Sequence, residues 1–183
     1  MRLDIHDDIV SAGSRAELAT LADVLLWQFG HKSNPDDPAA FFWFPFGRTR
    51  EQIAQYAPVA ALFDAFDANV LKGSHELDDC YANGQVAVQP GHIHIDCDAP
   101  GWLTALVYIH PEWRPEWEGE TFFYDQARSE ILRAVIPKPG RLVLFDARIP
   151  HAGRAPGRWC PRMRVSIAFK LRPKGAPRIA KLG

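Results

Sequence analysis

Residues 91–96 have the sequence GHIHID, and this short run carries the polar side chains that most constrain the fold and the chemistry of the chain. His92, His94 and Asp96 alternate with isoleucines, which is the pattern of a β-strand whose successive side chains point to opposite faces. Two neighbours on one face then present an imidazole and a carboxylate side by side. Burying such groups among apolar residues costs free energy unless something pairs with them, and a metal ion meets that need.

A third candidate ligand lies further along the chain. His151 follows the strand-like run RLVLF (141–145) within a turn that contains Pro and Gly. Together with His94 and Asp96 it would form a two-histidine, one-carboxylate set, which leaves three positions open on an octahedral iron. The spacing also allows a cupin-like site built from His92, His94 and His151. The residues by themselves leave both ligand sets open.

The N-terminal part of the chain is predicted to be mainly helical. Ser14 and Glu17 have the spacing of a capping box, and apolar residues recur at helical spacing over 14–29. A second helix is predicted over 49–70, with Pro58 bending or dividing it. A loop rich in Pro, Asp and aromatic residues is expected over 31–47.

The rest of the chain has the sequence pattern of a β-structure. Seven short apolar or alternating runs are separated by Pro and Gly: QVAVQ, HIHID, LTALVYI, TFFY, EILRAVI, RLVLF and RVSIAF. Short strands at this spacing indicate a β-sandwich or barrel. The two helices are expected to cover one face of a sheet, in an α+β arrangement.

Composition excludes several classes of function. The 183 residues suit one domain, and 21 basic against 22 acidic residues leave no excess positive charge for binding nucleic acid. No apolar run approaches the length of a membrane span, and the N-terminus has no apolar segment typical of a signal peptide. The three cysteines match no zinc or disulfide pattern. We therefore expect a cytoplasmic protein without a membrane partner.

Six motifs carry a resemblance to a known family. In chain order they are YANGQ (81–85), HID (94–96), LTALVYIHPEW (103–113), WEGETFFYD (117–125), PKPGRLVLFDARIPHAG (137–153) and RVSIAF (164–169). Over residues 80–171 the chain resembles the prolyl-4-hydroxylase-like branch of the Fe(II)/2-oxoglutarate oxygenases. It departs from the family pattern at Glu118, where a turn glycine is usual, and at His110, where an asparagine is usual.

The resemblance implies a fold and a ligand set. The fold would be a double-stranded β-helix, a jelly-roll or cupin-like barrel, with the N-terminal helices packed on one sheet. Residues 1–183 would form a single oxygenase domain, with a mainly helical part over 1–75 and a jelly-roll core over 80–171. Fe(II) would be bound by His94, Asp96 and His151, with 2-oxoglutarate and O₂ as cosubstrates and ascorbate as a supporting reductant.

The resemblance also implies where 2-oxoglutarate binds. Arg164 would bind its far carboxylate, because a planar guanidinium matches a carboxylate bidentately. Arg162, two residues earlier, competes for this role. Thr104 and Thr121 are taken as ordinary strand residues. Four further residues match family positions that contact or line the cosubstrate pocket: Ser166, Tyr108, Tyr81 and Asn83.

The substrate is the least determined part of this interpretation. Five residues are candidates for contacting it: His92, Trp102, Trp113, Trp117 and Arg148. The chain is compact, which favours a small-molecule or amino-acid-like substrate, while a peptidyl and even a prolyl substrate stays open. Two alternatives remain, a non-catalytic jelly-roll binding module and a cupin-like metalloenzyme without 2-oxoglutarate. The sequence does not indicate an oligomeric state.

Overall fold

The computed structural model describes residues 1–7, 9–33, 37 and 39–178. The described residues form ten strands: β1 Leu3–His6, β2 Gln28–His31, β3 Phe41–Gly47, β4 His75–Gln85, β5 Leu103–Tyr108, β6 Thr121–Tyr124, β7 Ile131–Val135, β8 Leu142–Asp146, β9 His151–Gly153 and β10 Arg164–Pro173. They also form three α-helices: α1 Ala12–Val24, α2 Arg50–Ile53 and α3 Ala57–Phe66. A π-helical turn, Asp67–Leu71, extends α3, and a 3₁₀ turn spans Pro115–Trp117.

The strands form two antiparallel sheets. The larger sheet has the order β1-β8-β5-β10-β4-β3-β2, and the smaller has the order β7-β6-β9. A backbone bridge between His94 and His151 adds the segment around residue 94 to the open edge of the smaller sheet. The two sheets form a double-stranded β-helix, and the predicted α+β fold class is confirmed.

Alternation along β10 separates the apolar core from a polar cavity. Val165, Ile167 and Phe169 point to the side of the large sheet that the helices cover, and all three are buried. Phe169 lies between Phe63 and Phe66 of α3, with ring centroids 5.9 and 5.0 Å away. The opposite face of β10 carries polar residues toward the space between the sheets. Helix packing therefore supports the strand that carries much of the cavity wall.

Both predicted helices occur, but with different bounds. The first begins at Ala12 and is capped by Ser11, whose hydroxyl accepts a hydrogen bond from the Ser14 backbone N–H at 3.1 Å. The predicted Ser14–Glu17 capping box is therefore wrong. The helix ends at Val24 because Leu25 is already extended, and Phe29 belongs to β2.

The second predicted helix is divided, as expected from its proline. Pro58 lies in the first turn of α3, where its missing N–H costs nothing. Part of the preceding stretch is not the predicted loop, because residues 41–47 form β3 between β2 and β4. Residues 34–36 and 38 of that predicted loop lie outside the described residues.

Five of the seven predicted strand runs are confirmed, and two are not. QVAVQ is not a strand, since Gln85 ends β4 and residues 86–89 form a turn. HIHID is reduced to the single bridge at His94, because the chain turns so that the backbone N–H of Asp96 donates to Ala147 O at 2.9 Å. The strands β1 to β3 and most of β4 were not predicted.

Among the described residues, no helix is both long enough and apolar enough to cross a membrane. The cytoplasmic location expected from the sequence stays a prediction.

Replacing Phe169 by Ala should destabilise the whole fold. Phe169 is fully buried between α3 and the large sheet, and truncating a buried phenylalanine typically costs about 3–5 kcal/mol. Phe29→Ala is the matched control, because 63% of Phe29 is exposed, and it should cost less than about 1 kcal/mol. Urea unfolding followed by circular dichroism measures both. Equal losses would show that the helix–sheet contact is not the main core.

Candidate metal centre and cosubstrate pocket

A cavity of about 640 Å³ lies between the two sheets. The inner faces of β4, β5, β8 and β10 form one wall, and residues from β6, β9 and the segment 94–98 form the other. The long polar side chains of β10 reach this cavity because residues 164, 166, 168 and 170 alternate with the core residues of the same strand. The cavity is large enough for a small organic molecule beside a metal ion.

His94, Asp96 and His151 meet at the cavity wall. The backbones of His94 and His151 exchange two hydrogen bonds, of 3.0 and 2.9 Å. The His94 Nε2 atom lies 3.5 Å from Asp96 Oδ1, and the His151 Nε2 atom lies 3.6 Å from Asp96 Oδ2. One ligand atom from each residue lies within 4.8 Å of the other two. This cluster has the size of a metal site.

Hydrogen bonds fix both imidazoles in the tautomer that a metal requires. His94 Nδ1 donates to His92 O at 2.8 Å, and His151 Nδ1 donates to Ile149 O at 2.9 Å, because a carbonyl can only accept. Burial lowers the pKa of His151 to about 3, so this ring is neutral near pH 7. With Nδ1 protonated, the Nε2 lone pairs are directed at Asp96. Two lone pairs beside a carboxylate fit a dication.

Two donors hold the Asp96 carboxylate from the side of the large sheet. Lys170 Nζ and Thr104 Oγ1 each lie 2.5 Å from Asp96 Oδ2. Burial by itself would raise the pKa of Asp96, but the Lys170 ammonium holds it well below its usual range. Asp96 is therefore a carboxylate at neutral pH, as a metal ligand must be.

Arg164 is a buried cation whose hydrogen bonds all go to uncharged groups. Only 2% of Arg164 is exposed, and its Nε donates to Gly119 O at 2.6 Å. Its two terminal nitrogens donate to Gln85 Oε1 at 2.8 Å and to Thr121 Oγ1 at 2.7 Å. Among the described residues, no carboxylate forms an ion pair with it. A buried charge of this kind normally has an anionic partner.

The guanidinium has donors left for such a partner. A guanidinium carries five N–H groups, so these three contacts leave one N–H on each terminal nitrogen. The Tyr108 ring lies 5.2 Å from the guanidinium carbon, and the Tyr108 hydroxyl is 2.7 Å from Thr121 Oγ1. Thr121 thus joins Arg164 to Tyr108. The site can present a fixed two-pronged donor to a carboxylate in the cavity.

The other predicted cosubstrate residues lie on the same cavity wall. Ser166 is buried next to Arg164 on the inner face of β10, and Asn83 and Tyr81 occupy the inner face of β4. Asn83 Oδ1 is buried without a hydrogen-bond partner among the described residues. Burial raises the pKa of the Tyr81 phenol to about 12, so it is a neutral group. Tyr108 lies behind Arg164 and does not line the cavity.

The side chains of Arg162 and His92, the two competing candidates from the sequence, lie apart from the metal cluster and from Arg164. The Arg162 side chain is 43% exposed and pairs with Glu112 at 3.1 Å, away from the cavity. The His92 side chain is 45% exposed and lies 3.6 Å from Asp37. The strand expected over residues 92–96 is reduced to a single bridge at His94. His92 and His94 therefore do not lie on one face of a strand. The geometry favours the set with Asp96 over the cupin-like set with His92.

The substrate candidates divide into one residue in the cavity and four outside it. Trp102 lines the cavity and is buried. Trp113 and Trp117 pack against each other, 5.6 Å between ring centroids, and do not reach it. Arg148 pairs with Asp146 at 2.6 Å.

His110, at the family's asparagine position, also lies away from the metal cluster. Its ring is buried and packs against the Trp113 ring in a tilted arrangement, 4.4 Å between centroids. Both ring nitrogens are without a hydrogen-bond partner among the described residues. Burial lowers its pKa to about 3. His110 is a neutral packing residue of this region.

Four polar residues of the site were not found by sequence reasoning: Gln85, Thr104, Thr121 and Lys170. Taking Thr104 and Thr121 as ordinary strand residues was wrong, because each hydroxyl is bonded to a charged group of the site. The signal for Lys170 was its even spacing from Arg164, which places both on one face of β10.

Comparison with known proteins agrees with this geometry. The family model of the 2OG-Fe(II) oxygenase superfamily matches residues 83–171. No protein of curated function matches the sequence. A Trichoplax adhaerens prolyl hydroxylase, solved with a hypoxia inducible factor oxygen degradation domain peptide fragment, is similar in structure, with a TM-score of 0.65 and 17% identity over 93% of this chain and 83% of that one.

Two further solved structures have the same fold. A Pseudomonas putida prolyl-4-hydroxylase has a TM-score of 0.64 and 20% identity over 94% of this chain and 93% of its own. The non-heme alpha ketoglutarate dependent epimerase SnoN from nogalamycin biosynthesis has a TM-score of 0.62 and 16% identity over 98% of this chain and 88% of its own. Over residues 83–171, just under half of its length, the chain resembles the 2OG-Fe(II) oxygenase superfamily, and it is a dioxygenase that uses Fe(II) and 2-oxoglutarate.

Replacing Thr121 by Val should weaken the binding of 2-oxoglutarate. The change keeps the size of the side chain but removes the hydroxyl that joins Arg164 to Tyr108. Losing a hydrogen bond to a charged group corresponds to about a tenfold loss of affinity. Calorimetric titration of the Mn(II)-loaded protein measures it, with Thr20→Val on the exposed face of α1 as the control. Unchanged affinity in Thr121→Val would mean that Arg164 is oriented without this contact.

Proposed function

We propose that His94, Asp96 and His151 bind the Fe(II) of this dioxygenase and that Arg164 binds the far carboxylate of 2-oxoglutarate. One observation carries this assignment: a buried guanidinium with two unused donors faces the same cavity as a cluster of two imidazoles and a carboxylate. A dicarboxylate that chelates a metal with one end and needs a cation at the other is complementary to both.

The residues of the chain have distinct roles in this proposal. Bound Fe(II) and 2-oxoglutarate supply the oxidation of a substrate C–H bond by O₂, with release of succinate and CO₂. Arg164 fixes the length and direction of the cosubstrate, with Ser166 beside it and Tyr108 behind it. Asn83 and Tyr81 line the same cavity. Arg164 and Asp96 are shielded from solvent, so charge–charge contacts at these groups are screened less than in water.

We further propose a small-molecule or amino-acid-like substrate that enters beside the metal cluster. Trp102 and Phe41 line this part of the cavity, and His31, Lys32 and Arg128 lie at its edge. A peptidyl substrate is the second candidate, supported by the fold shared with a prolyl hydroxylase solved with a peptide. The epimerase of the same fold comes from nogalamycin biosynthesis, so the fold does not choose between the two.

The whole chain is proposed to act as one catalytic domain. The N-terminal helices α1 and α3 share a single core cluster with β4, β5, β8 and β10. Removing them would expose the buried face of the sheet that carries Arg164. The helical part is therefore expected to be required for a folded oxygenase core.

Turnover of 2-oxoglutarate without added substrate tests the assignment. Succinate is measured with Fe(II), ascorbate and air for the wild type, Asp96→Ala, Arg164→Ala and two controls. Asp96→Ala should lose turnover to background, and Arg164→Ala should lose at least about a hundredfold of kcat/KM for 2-oxoglutarate, because a buried charge pair is removed. The controls His92→Ala and Arg162→Ala should keep near wild-type rates, because both side chains point away from the cavity.

The outcomes separate the alternatives. Loss of turnover in His92→Ala with retention in Asp96→Ala would support the cupin-like ligand set. Loss of turnover in Arg162→Ala with retention in Arg164→Ala would mean that Arg162, and not Arg164, binds the far carboxylate of 2-oxoglutarate. Equal signals in all variants would mean that the succinate comes from background chemistry.

A further inference from the structure

Lys170 has a mostly buried side chain, 18% exposed, whose ammonium lies directly against the carboxylate of a proposed metal ligand. It lies six positions after Arg164 on the inner face of β10 and lines the same cavity. Its Nζ atom is 2.5 Å from Asp96 Oδ2 and 3.4 Å from Thr104 Oγ1. The Tyr81 ring covers it, with the ring centroid 5.7 Å from Nζ. In the assignment above this side chain binds neither the metal nor 2-oxoglutarate, and its only stated effect is to lower the pKa of Asp96.

The contacts at Asp96 divide its two oxygens. Oδ2 accepts from both Lys170 and Thr104, which saturates its hydrogen bonding on the sheet side. Oδ1 lies 3.5 Å from the His94 Nε2 atom, while Oδ2 also lies 3.6 Å from the His151 Nε2 atom. The two donors therefore orient the carboxylate so that Oδ1, which neither of them contacts, is left for a metal. Groups that orient a ligand in this way typically change metal affinity 10–100-fold.

Lys170 and Thr104 differ in charge, and the difference predicts opposite effects. Thr104 is neutral, so its hydroxyl can only orient the carboxylate. Lys170 carries a full charge in a buried site, where charges are poorly screened. A fixed cation beside a metal ligand repels a dication and draws electron density from the carboxylate. Charge repulsion acts over a longer range than orientation and should dominate the effect of Lys170.

We infer that Lys170 is a positioning residue that lowers the affinity of Asp96 for a metal ion, while Thr104 raises that affinity by orienting the same carboxylate. This inference rests on the proposed metal ligands. It applies to any divalent ion, because charge repulsion does not depend on the chemical identity of the dication. Mn(II) alone is therefore a suitable probe.

Mn(II) affinity of the full chain, without 2-oxoglutarate or substrate, is the test. Lys170→Met and Lys170→Gln remove the charge and should each bind Mn(II) at least about tenfold more tightly. Lys170→Arg keeps the charge and should stay within about threefold of the wild type. Thr104→Val should bind about tenfold more weakly, and Thr104→Ser should restore wild-type affinity. Lys138→Met is the matched control, because it removes a lysine that pairs with Asp7 near the surface, and it should leave the Mn(II) affinity unchanged.

Each result has a definite meaning. Unchanged or weaker Mn(II) binding in Lys170→Met and Lys170→Gln, with folded protein by circular dichroism, would overturn the inference for Lys170. Unchanged binding in Thr104→Val would overturn it for Thr104. If Lys170→Met does not fold, Lys170→Gln decides, because it keeps a polar group against Asp96. If the wild type and Asp96→Ala bind Mn(II) equally, the proposed metal site itself has failed, and the variants of Lys170 would then show no shift.

Discussion

The pair of backbone hydrogen bonds between His94 and His151 is the constraint on which the site depends. It joins the segment around residue 94 to β9, although the two are far apart in the chain. Without it, Asp96 would not lie between the two imidazoles, because no strand continues through residues 92–96. A further backbone bond, from Asp96 N–H to Ala147 O, then turns the carboxylate toward the cavity. The ligand set thus follows from backbone geometry as much as from side-chain type.

The cavity is lined by two cations on one face of one strand, the fully buried Arg164 and the mostly buried Lys170. Their environments differ. Arg164 has only uncharged acceptors around it and donors to spare, which suits an anion that arrives from solution. Lys170 already contacts the Asp96 carboxylate and so modulates a group that belongs to the chain. A single strand therefore supplies both the cosubstrate anchor and a charge next to the metal site.

The sequence predicted which side chains meet at the cavity better than it predicted the boundaries of the strands and helices. His94, Asp96, His151 and Arg164 were predicted as site residues because their residue types and order are specific, and all four line the cavity. Gln85 and Thr121 were missed because an arginine can take almost any uncharged acceptor, so no spacing marks its partners. The strand β3 was taken for a loop because residues 31–47 are rich in Pro, Asp and aromatic residues, and one of these prolines, Pro45, lies inside the strand. The backbone path around His92 depends on the bridge between His94 and His151. The alternation of polar and apolar residues in GHIHID cannot predict such a contact with a distant part of the chain.

The most direct test of the account is a crystal structure of the protein with Mn(II) and 2-oxoglutarate, grown without oxygen. The account predicts the ion between His94 Nε2, one oxygen of Asp96 and His151 Nε2, with the far carboxylate of 2-oxoglutarate on the two free N–H groups of Arg164. An ion bound through His92, or a carboxylate bound by Arg162 or by Lys170 in place of Arg164, would contradict it.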